Sequence, residues 1–431
     1  MPVRLDTRQP DFAAAFDAFL GVKREVAADI EAATRAIVDD VAARGDAALL
    51  EATRKFDRLD LTAAGLRITP DEIDGAVAAC DAATLDALAF ARDRIEAFHR
   101  RQMPKDERFT DATGVELGWR WSAIEAVGLY VPGGTAAYPS SVLMNAVPAK
   151  VAGVDRVVMV VPSPDGKLNP LVLAAARLGG VGEIYRVGGA QAVAALAYGT
   201  ATIAPVAKIV GPGNAYVAAA KRQVFGKVGI DMIAGPSEVL VIADATANPD
   251  WIAADMLAQS EHDANAQAIL VTDSAALADQ VDRAVTAQLS TLPRAAIARA
   301  SWDSYGAIIV VQRLDQSVAL ADAIAAEHLE IITAEPEALA GKIRNAGAIF
   351  LGAHTPEAIG DYVGGSNHVL PTARSARFSS GLGVLDFMKR TSILKCGPDQ
   401  LRALGPAAMT LGKAEGLDAH ARSIGIRLNL R

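Results

Sequence analysis

Two short polar segments of this 431-residue chain carry side chains that could do acid–base or metal chemistry. Glu327 and His328 are adjacent and precede the apolar run 329–332. A carboxylate beside an imidazole can act as a general base near neutral pH, although the same pair could be a surface ion pair. Gln259 and His262 lie three residues apart on a predicted helix, so they face one side. They could bind one cation if other segments supply two more donors, or they could simply form a polar helix end.

Two further segments combine acids with histidines. Residues 359–368 hold Asp361 and His368 around two glycines without a regular period, which is typical of functional loops. Near the C-terminus, Glu415 and His420 repeat the combination. We expect the 327–328 pair to lie in a loop at the mouth of a parallel sheet, where such folds bind ligands.

Three glycine-rich turns could bind a nucleotide, namely 131–135, 187–191 and 211–214. The last two follow a predicted strand and open a helix, where backbone N–H groups attract an anion such as a pyrophosphate. Glycines at such turns can equally reflect turn geometry alone. The sequence contains none of the common phosphate-loop, zinc-protease or nucleophile-elbow motifs, and no G-x-G-x-x-G after a strand, so those reaction classes lose support.

The composition restricts the class of protein and its partners. Hydrophobic residues make up 51% and charged residues 21%, which is typical of folded domains. The formal charge of -8 lacks the basic excess that nucleic-acid binding needs, so we expect no nucleic-acid partner. Two cysteines exclude a disulfide framework and a cysteine-rich metal site, so a metal would need His, carboxylate or amide ligands.

The sequence predicts a cytoplasmic protein without a membrane span. Its first residues lack the apolar stretch of a signal peptide, and the few cysteines fit a reducing compartment. The uncharged segments 126–149 and 187–207 are long enough to span a membrane, but prolines, glycines and polar residues interrupt both.

The elements that must position these residues change in type along the chain. Apolar residues recur at helical spacing over 23–44, Thr69 and Pro70 form a helix start, and another helix is predicted over 84–101. From about 157 onward, β-branched runs alternate with helical segments, which is typical of a parallel sheet covered on both faces. The predicted strands are 157–161, 183–187, 208–210, 238–242, 268–272, 307–311, 329–333 and 348–351.

These patterns predict an α/β fold with two parallel-sheet units that join near 231–236. After about residue 380 the pattern becomes helical and short. About fifty residues are too few for a separate core, so this tail must dock on something.

The polar and glycine-rich segments together resemble the histidinol dehydrogenase family, and the resemblance covers nearly the whole chain. The segments that carry it are, in order, Tyr130-Val131-Pro132-Gly133-Gly134, Val187-Gly188-Gly189-Ala190-Gln191, Gly211-Pro212-Gly213-Asn214, 231–237, Gln259-Ser260-Glu261-His262, Ala326-Glu327-His328-Leu329, Asn367-His368-Val369-Leu370-Pro371-Thr372 and 415–420.

The resemblance implies a fold and an assembly. It implies two incomplete Rossmann-like parallel-sheet domains with small helical N- and C-terminal extensions, in a domain-swapped homodimer with shared active sites. The corresponding division begins with an N-terminal extension at 1–22. A helical segment at 23–125 packs with 237–380 as one domain, which carries the zinc and catalytic residues. The second α/β domain, at 126–236, is on the NAD side, and the tail at 381–431 reaches the partner subunit.

The resemblance also implies an activity: oxidation of L-histidinol to L-histidine through L-histidinaldehyde, with two NAD and one Zn²⁺ per subunit, in L-histidine biosynthesis. The zinc ligands it implies are Gln259, His262, Asp361 and His420. The catalytic pair is Glu327 and His328. The implied substrate contacts are Ser237, Gln259, His262, His328, Asp361, Glu415 and His420, and the implied dinucleotide contacts are Tyr130, Gln191 and Asn214.

The chemistry of these residues agrees with the implied roles. Alcohol oxidation needs a base for the hydroxyl proton, which neutral His328 can accept, and aldehyde oxidation needs added water, which Glu327 can deprotonate. Zinc would position the substrate's imidazole and amino nitrogens rather than activate the reacting oxygen. Three alternatives remain: a paralogous zinc- and NAD-dependent dehydrogenase of another small polar alcohol, a zinc hydrolase with an open coordination position, and a non-catalytic binding protein.

Overall fold

The computed structural model describes residues 1–22, 28–133 and 138–430. The first five residues of the helix predicted over 23–44 lie outside the described residues, as do Gly134 and Thr135 of the first glycine-rich turn.

The described residues form fourteen strands and eighteen α-helices. The strands are β1 (Val3–Asp6), β2 (Glu107–Thr110), β3 (Glu116–Ala123), β4 (Ala126–Tyr130), β5 (Arg156–Val160), β6 (Glu183–Tyr185), β7 (Lys208–Val210), β8 (Gly229–Ile230), β9 (Glu238–Ala243), β10 (Gln267–Thr272), β11 (Ala307–Val310), β12 (His328–Ile332), β13 (Ala348–Leu351) and β14 (Met388–Lys395). The helices are α1 (Phe12–Gly21), α2 (Ala28–Arg44), α3 (Asp46–Asp57), α4 (Ala63–Leu66), α5 (Pro70–Ala78), α6 (Ala82–Arg100), α7 (Pro139–Val151), α8 (Pro170–Leu178), α9 (Gly189–Tyr198), α10 (Ala215–Val224), α11 (Pro249–Ser260), α12 (Ala275–Leu289), α13 (Ala295–Tyr305), α14 (Ser317–Ile324), α15 (Pro336–Ala340), α16 (Glu357–Tyr362), α17 (Pro398–Ala414) and α18 (Asp418–Arg427).

A six-stranded parallel sheet forms one unit, in the order β1-β11-β10-β9-β12-β13. Strands β9, β10 and β12 are buried along their whole length, as expected for strands that helices cover on both faces. Counted from β9, the order is 3-2-1-4-5, the arrangement of a Rossmann-type sheet that lacks its sixth strand, with β1 added beside β11.

A second parallel sheet has the order β6-β5-β4-β7-β8, which is again 3-2-1-4-5 when counted from β4. The turn after β7 requires glycine, since Gly211 has φ +107° and a Cβ there would lie 2.2 Å from the Tyr130 carbonyl oxygen. The prediction of two incomplete Rossmann-like sheets is confirmed by this pair of topologies.

A small antiparallel sheet, β14-β3-β2, was not predicted. The expectation that the chain is helical after about 380 is wrong over Met388–Lys395, and the supposedly helical segment 23–125 contains β2 and β3. These strands are mostly exposed or half-buried, and β14 pairs with residues far away in sequence, Thr391 opposite Arg120 for instance. Local pattern is a weak guide to such strands, because distant pairing determines them.

The N-terminal helices pack differently from the expectation. Val38 and Val41 of α2 and Leu49 of α3 share a core with α9 and the five-stranded sheet, and Ile95 of α6 shares a core with α7 and α8. Helices α2, α3 and α6 therefore pack largely on the five-stranded unit, whereas the expectation paired 23–125 with 237–380. Residues 1–22 instead extend the six-stranded unit, since β1 pairs with β11.

The C-terminal helices α17 and α18 form a hairpin whose members pack mainly against each other. Leu411 and Ile426 are 63% and 61% exposed on this hairpin, so it carries unburied apolar surface. None of the described helices combines the length and apolar character needed to cross a membrane.

Candidate active site

The acid–histidine pair lies at the amino edge of the six-stranded sheet, the edge where its parallel strands begin. His328 is the first residue of β12, Glu327 immediately precedes it, and Ser237 immediately precedes the neighbouring strand β9. The expectation of a loop at the sheet mouth, the carboxyl edge, was wrong, since His328 belongs to a strand and marks the opposite edge. Helices between parallel strands return the chain to the amino edge, so helix ends and strand starts meet there.

Two helices bring further polar groups to this edge. Asn248 caps α11 through its side chain and Pro249 opens the helix, which ends at Ser260 and so places Gln259 and His262 near the strand starts. Asp361 lies on α16, four residues after Glu357, so the two acids occupy one helix face.

The imidazole of His328 is oriented by the backbone. Its Nδ1 lies 3.1 Å from the carbonyl oxygen of Glu238. A carbonyl can only accept, so Nδ1 carries the hydrogen and Nε2 holds a lone pair. That buried Nε2 has no hydrogen-bond partner among the described groups and lies 3.8 Å from Asp361 Oδ1. His328 therefore presents an unprotonated nitrogen to the site.

Burial keeps His328 neutral, while nearby carboxylates face it. Burial lowers its pKa to about 4, and the charge of Asp361 opposes this shift only in part. Glu327 Oε2 and Glu357 Oε2 each lie 3.8 Å from Nδ1. The ring is thus ready to accept a proton, and ionised carboxylates around it would stabilise the resulting imidazolium.

Glu327 is a buried carboxyl held by the start of β9. Its Oε2 accepts a 3.1 Å hydrogen bond from the Glu238 backbone N–H, and the Ser237 hydroxyl also donates to its side chain. Burial raises the pKa of Glu327 well above its usual value, more than these hydrogen bonds lower it. A raised carboxyl pKa suits a general base that works near neutral pH.

The donors of His262, Glu357 and Asp361 form a group that could hold a cation, since one ligand atom from each lies within 4.8 Å of the others. Gln259 is fully buried, yet neither its amide oxygen nor its amide nitrogen has a hydrogen-bond partner among the described groups. Buried amides are normally satisfied, so this orphaned oxygen fits a metal ligand. Nitrogen and oxygen donors of this kind suit Zn²⁺.

Two of the predicted site residues lie elsewhere in the chain. His420 is on α18 and Glu415 is the C-cap residue of α17. Both are exposed on the C-terminal hairpin, and the cation-compatible group does not include them. Within one chain, the structure brings together Ser237, His262, Asp361 and the pair Glu327 and His328, and Gln259 lies three residues before His262.

Sequence reasoning missed the roles of Glu357 and His368 in this arrangement. Glu357 could have been found by its one-turn spacing from Asp361. His368 donates from Nδ1 to the Asp361 carbonyl at 3.0 Å, and its Nε2 accepts from the Ser141 hydroxyl at 3.3 Å. Because Ser141 lies on α7, His368 links the acidic site to the five-stranded unit.

The predicted dinucleotide residues lie at the carboxyl edge of the five-stranded sheet. Tyr130 ends β4, is buried, and its hydroxyl accepts from the Gly189 N–H at 2.9 Å. Asn214 caps α10 by accepting from the backbone N–H groups of Tyr216 and Val217. Gln191 is buried in the first turn of α9. Strand order reverses between β4 and β7, which is where open α/β sheets bind nucleotides.

Comparison with known proteins identifies the family. The histidinol dehydrogenase family model matches residues 22–428. The histidinol dehydrogenases of Nitrobacter winogradskyi and Rhodopseudomonas palustris are 83% and 81% identical over 429 and 431 residues, covering 100% of this chain and of each relative. A crystal structure of histidinol dehydrogenase from Elizabethkingia anophelis is 36% identical with a TM-score of 0.95, covering 99% of this chain and 98% of that chain. The chain therefore belongs to the histidinol dehydrogenase family, NAD-dependent oxidoreductases of histidine biosynthesis.

Proposed function

We propose that the cluster at the amino edge of the six-stranded sheet oxidises L-histidinol to L-histidine through L-histidinaldehyde. The observation that carries this proposal is the free Nε2 lone pair of His328, buried beside Glu327 and the cation-compatible group. His328 can serve as the base for the substrate hydroxyls, and Glu327 beside it can serve as the base for water.

In the alcohol oxidation, His328 Nε2 accepts the proton of the substrate hydroxyl. The hydrogen bond from Nδ1 to the Glu238 carbonyl fixes the ring while Nε2 takes up this proton. The carboxylates of Glu327, Glu357 and Asp361, each 3.8 Å from a ring nitrogen, would stabilise the positive charge. The same proton transfer serves the second oxidation, in which the hydrated aldehyde loses a hydroxyl proton.

In the hydration that separates the two oxidations, Glu327 removes a proton from water as the water oxygen adds to the aldehyde carbon, and the carbonyl oxygen takes the proton that His328 accepted in the first oxidation. Its hydrogen bonds to the Glu238 N–H and to Ser237 hold the carboxylate in place. The raised pKa makes Glu327 a stronger base than an exposed carboxylate.

Zinc and NAD complete this site in the proposal. Gln259, His262 and Asp361 would hold Zn²⁺, which when bound positions the imidazole and amino nitrogens of the substrate. Tyr130, Gln191 and Asn214 would contact NAD, which when bound would supply the two-electron oxidant for each oxidation. The hydrogen bond between Ser141 and His368 links α7 of the five-stranded unit to the acidic site.

We also propose that two chains share their active sites. His420, the fourth zinc ligand, and Glu415, a substrate contact, would come from the partner subunit's hairpin. The exposed apolar residues of α17 and α18 support this assignment, since a hairpin that packs mainly on itself leaves them in water.

Substitutions that separate the two steps test the catalytic assignment. His328→Asn should lower turnover of histidinol by about 10²- to 10⁴-fold while zinc stays bound, because a general base is lost. Glu327→Gln should oxidise histidinol to the aldehyde but stall there, which is measured as one NADH per histidinol. His354→Asn, at an exposed histidine that packs on Trp251, serves as the control and should match the wild type. Unchanged turnover in His328→Asn, or two NADH per histidinol in Glu327→Gln, would refute the respective roles.

A further inference from the structure

Glu330 is a carboxyl group in the middle of a buried parallel strand. It lies on β12, two residues after His328, so both side chains emerge on the same face of the sheet. Its neighbours in register are Val241 of β9 and Phe350 of β13, and the residue is 1% exposed. A buried carboxyl costs free energy unless hydrogen bonds satisfy it, so the partners of Glu330 indicate its task.

One oxygen of Glu330 holds the start of α16. Oε1 accepts a 2.6 Å hydrogen bond from the backbone N–H of Glu357, the first residue of that helix. N–H groups in the first turn have no carbonyl partner within the helix, and Pro356 at the N-cap supplies no side-chain acceptor. Glu330 therefore takes the place of a cap, and it fixes the helix that carries Glu357 and Asp361.

The carboxyl of Glu330 also interacts with Asp255 of α11. Oε2 receives no N–H or O–H among the described groups, and the two carboxyl groups form a side-chain hydrogen bond. Two carboxyl groups can hydrogen bond only through a shared proton, and burial raises both pKa values, that of Asp255 to about 6. Asp255 lies one turn before Gln259 on α11, so the two share a helix face.

We propose that Glu330 is a positioning residue that fixes α11, β12 and α16 relative to one another, because its carboxyl joins Asp255 of α11 to the first N–H of α16. Each of these elements carries part of the site: Gln259 on α11, His328 on β12 and Asp361 on α16. The inference rests on the proposed function for its link to zinc, but the hydrogen bonds themselves belong to the fold.

Two substitutions at Glu330 distinguish the loss of its hydrogen bonds from the loss of its charge, and a control substitution elsewhere in the sheet tests a general loss of packing. Glu330→Gln keeps an oxygen that accepts from the Glu357 N–H and gains an amide N–H that donates to Asp255. Glu330→Leu has a similar volume but makes neither hydrogen bond. Thr272→Val is the matched control, since Thr272 is fully buried at the other end of the same sheet and accepts a hydrogen bond from the Ser274 N–H.

The experiment measures zinc affinity and histidinol kinetics on the full-length, chelator-stripped variants. Glu330→Leu should bind zinc about 10- to 100-fold more weakly, the effect expected when a group that orients metal ligands is lost. Its kcat should fall, with KM for NAD unchanged. Glu330→Gln should stay within about twofold of wild type, since both hydrogen bonds persist. Thr272→Val should keep wild-type zinc affinity even if its stability falls.

Hydrogen–deuterium exchange over residues 355–364 gives a readout that does not depend on zinc. Exchange should be faster in Glu330→Leu than in wild type, Glu330→Gln or Thr272→Val. If Glu330→Leu binds zinc and exchanges like the wild type, or if Glu330→Gln fails as badly as Glu330→Leu, the positioning role is wrong. If wild type itself binds no zinc, the proposed metal site fails, and the exchange rates still decide whether Glu330 holds α16.

Discussion

Because the buried amide of Gln259 has no hydrogen-bond partner among the described groups, replacing it should stabilise the zinc-free protein but weaken the stabilisation that zinc provides. The side chain of Gln259 is fully buried, and neither amide atom has a partner among the described groups. Leaving a buried polar group unsatisfied costs about 1–3 kcal/mol. Gln259→Met, which is similar in shape and apolar, should therefore raise the free energy of unfolding of the zinc-free protein by roughly that amount.

Zinc should offset most or all of this advantage of Gln259→Met, because it stabilises the wild type more. With free zinc at 100 times the wild-type Kd, binding adds about 2.7 kcal/mol to the stability of the native wild-type protein. If the loss of this ligand weakens zinc binding about 100-fold, the same zinc concentration adds only about 0.4 kcal/mol to the stability of Gln259→Met.

Urea denaturation with and without zinc measures both effects, followed by tryptophan fluorescence. Trp251 and Trp302 lie on α11 and α13 and report on the six-stranded unit. Gln267→Met is the matched control, because its buried amide is satisfied by a 3.0 Å hydrogen bond to the Tyr305 carbonyl. Gln267→Met should be less stable than wild type without zinc, and zinc should stabilise it by as much as it stabilises the wild type. A Gln259→Met protein that is less stable than wild type without zinc, and that zinc stabilises as much as wild type, would show that Gln259 is not a zinc ligand.

Three further predictions concern the dinucleotide turn, the catalytic base and the shared site. Lys221 and Asp231 form a buried ion pair, with side chains 2% and 1% exposed, and each also hydrogen bonds one backbone group of Gly211. Lys221→Met should therefore lower the free energy of unfolding, measured by urea denaturation, by about 3–5 kcal/mol and raise KM for NAD. An unchanged denaturation midpoint would contradict this. Burial lowers the pKa of His328 to about 4, so its neutral, active form persists as the pH falls. The single-turnover rate of alcohol oxidation should therefore stay constant from pH 8 to 6. A fall in this rate centred near pH 6.5 would show that the pKa of the base is not shifted. Mixing inactive His420→Ala and His328→Ala subunits should restore partial activity, whereas mixed dimers that stay inactive would refute the shared site.

The sequence predicted the parallel-sheet core well because its signals are local. Lys208–Val210 and Ala348–Leu351 match the predicted strands, and Thr69 caps α5 through the expected hydrogen bond to the Glu72 N–H. These elements are defined by β-branched runs or by one capping residue, so a short window suffices to recognise them.

The remaining features depend on distant contacts. The pairing of β14 with β3 and the packing of α2 on α9 join segments far apart in sequence, and no local pattern indicates which segment is the partner. The same holds for the site, where the Glu238 carbonyl sets the tautomer of His328 and Glu330 holds α16. Residue types alone indicated the acids and histidines, but not which backbone groups orient them.

The stoichiometry of NADH formation shows whether the cluster around Glu327 and His328 carries out both oxidations of histidinol. Purified, zinc-loaded protein should form two NADH for each L-histidinol consumed, with L-histidine as the product, and His328→Asn should form none on the same timescale. A folded, zinc-loaded wild-type protein that forms no NADH from histidinol, or a His328→Asn protein that forms two, would contradict the account.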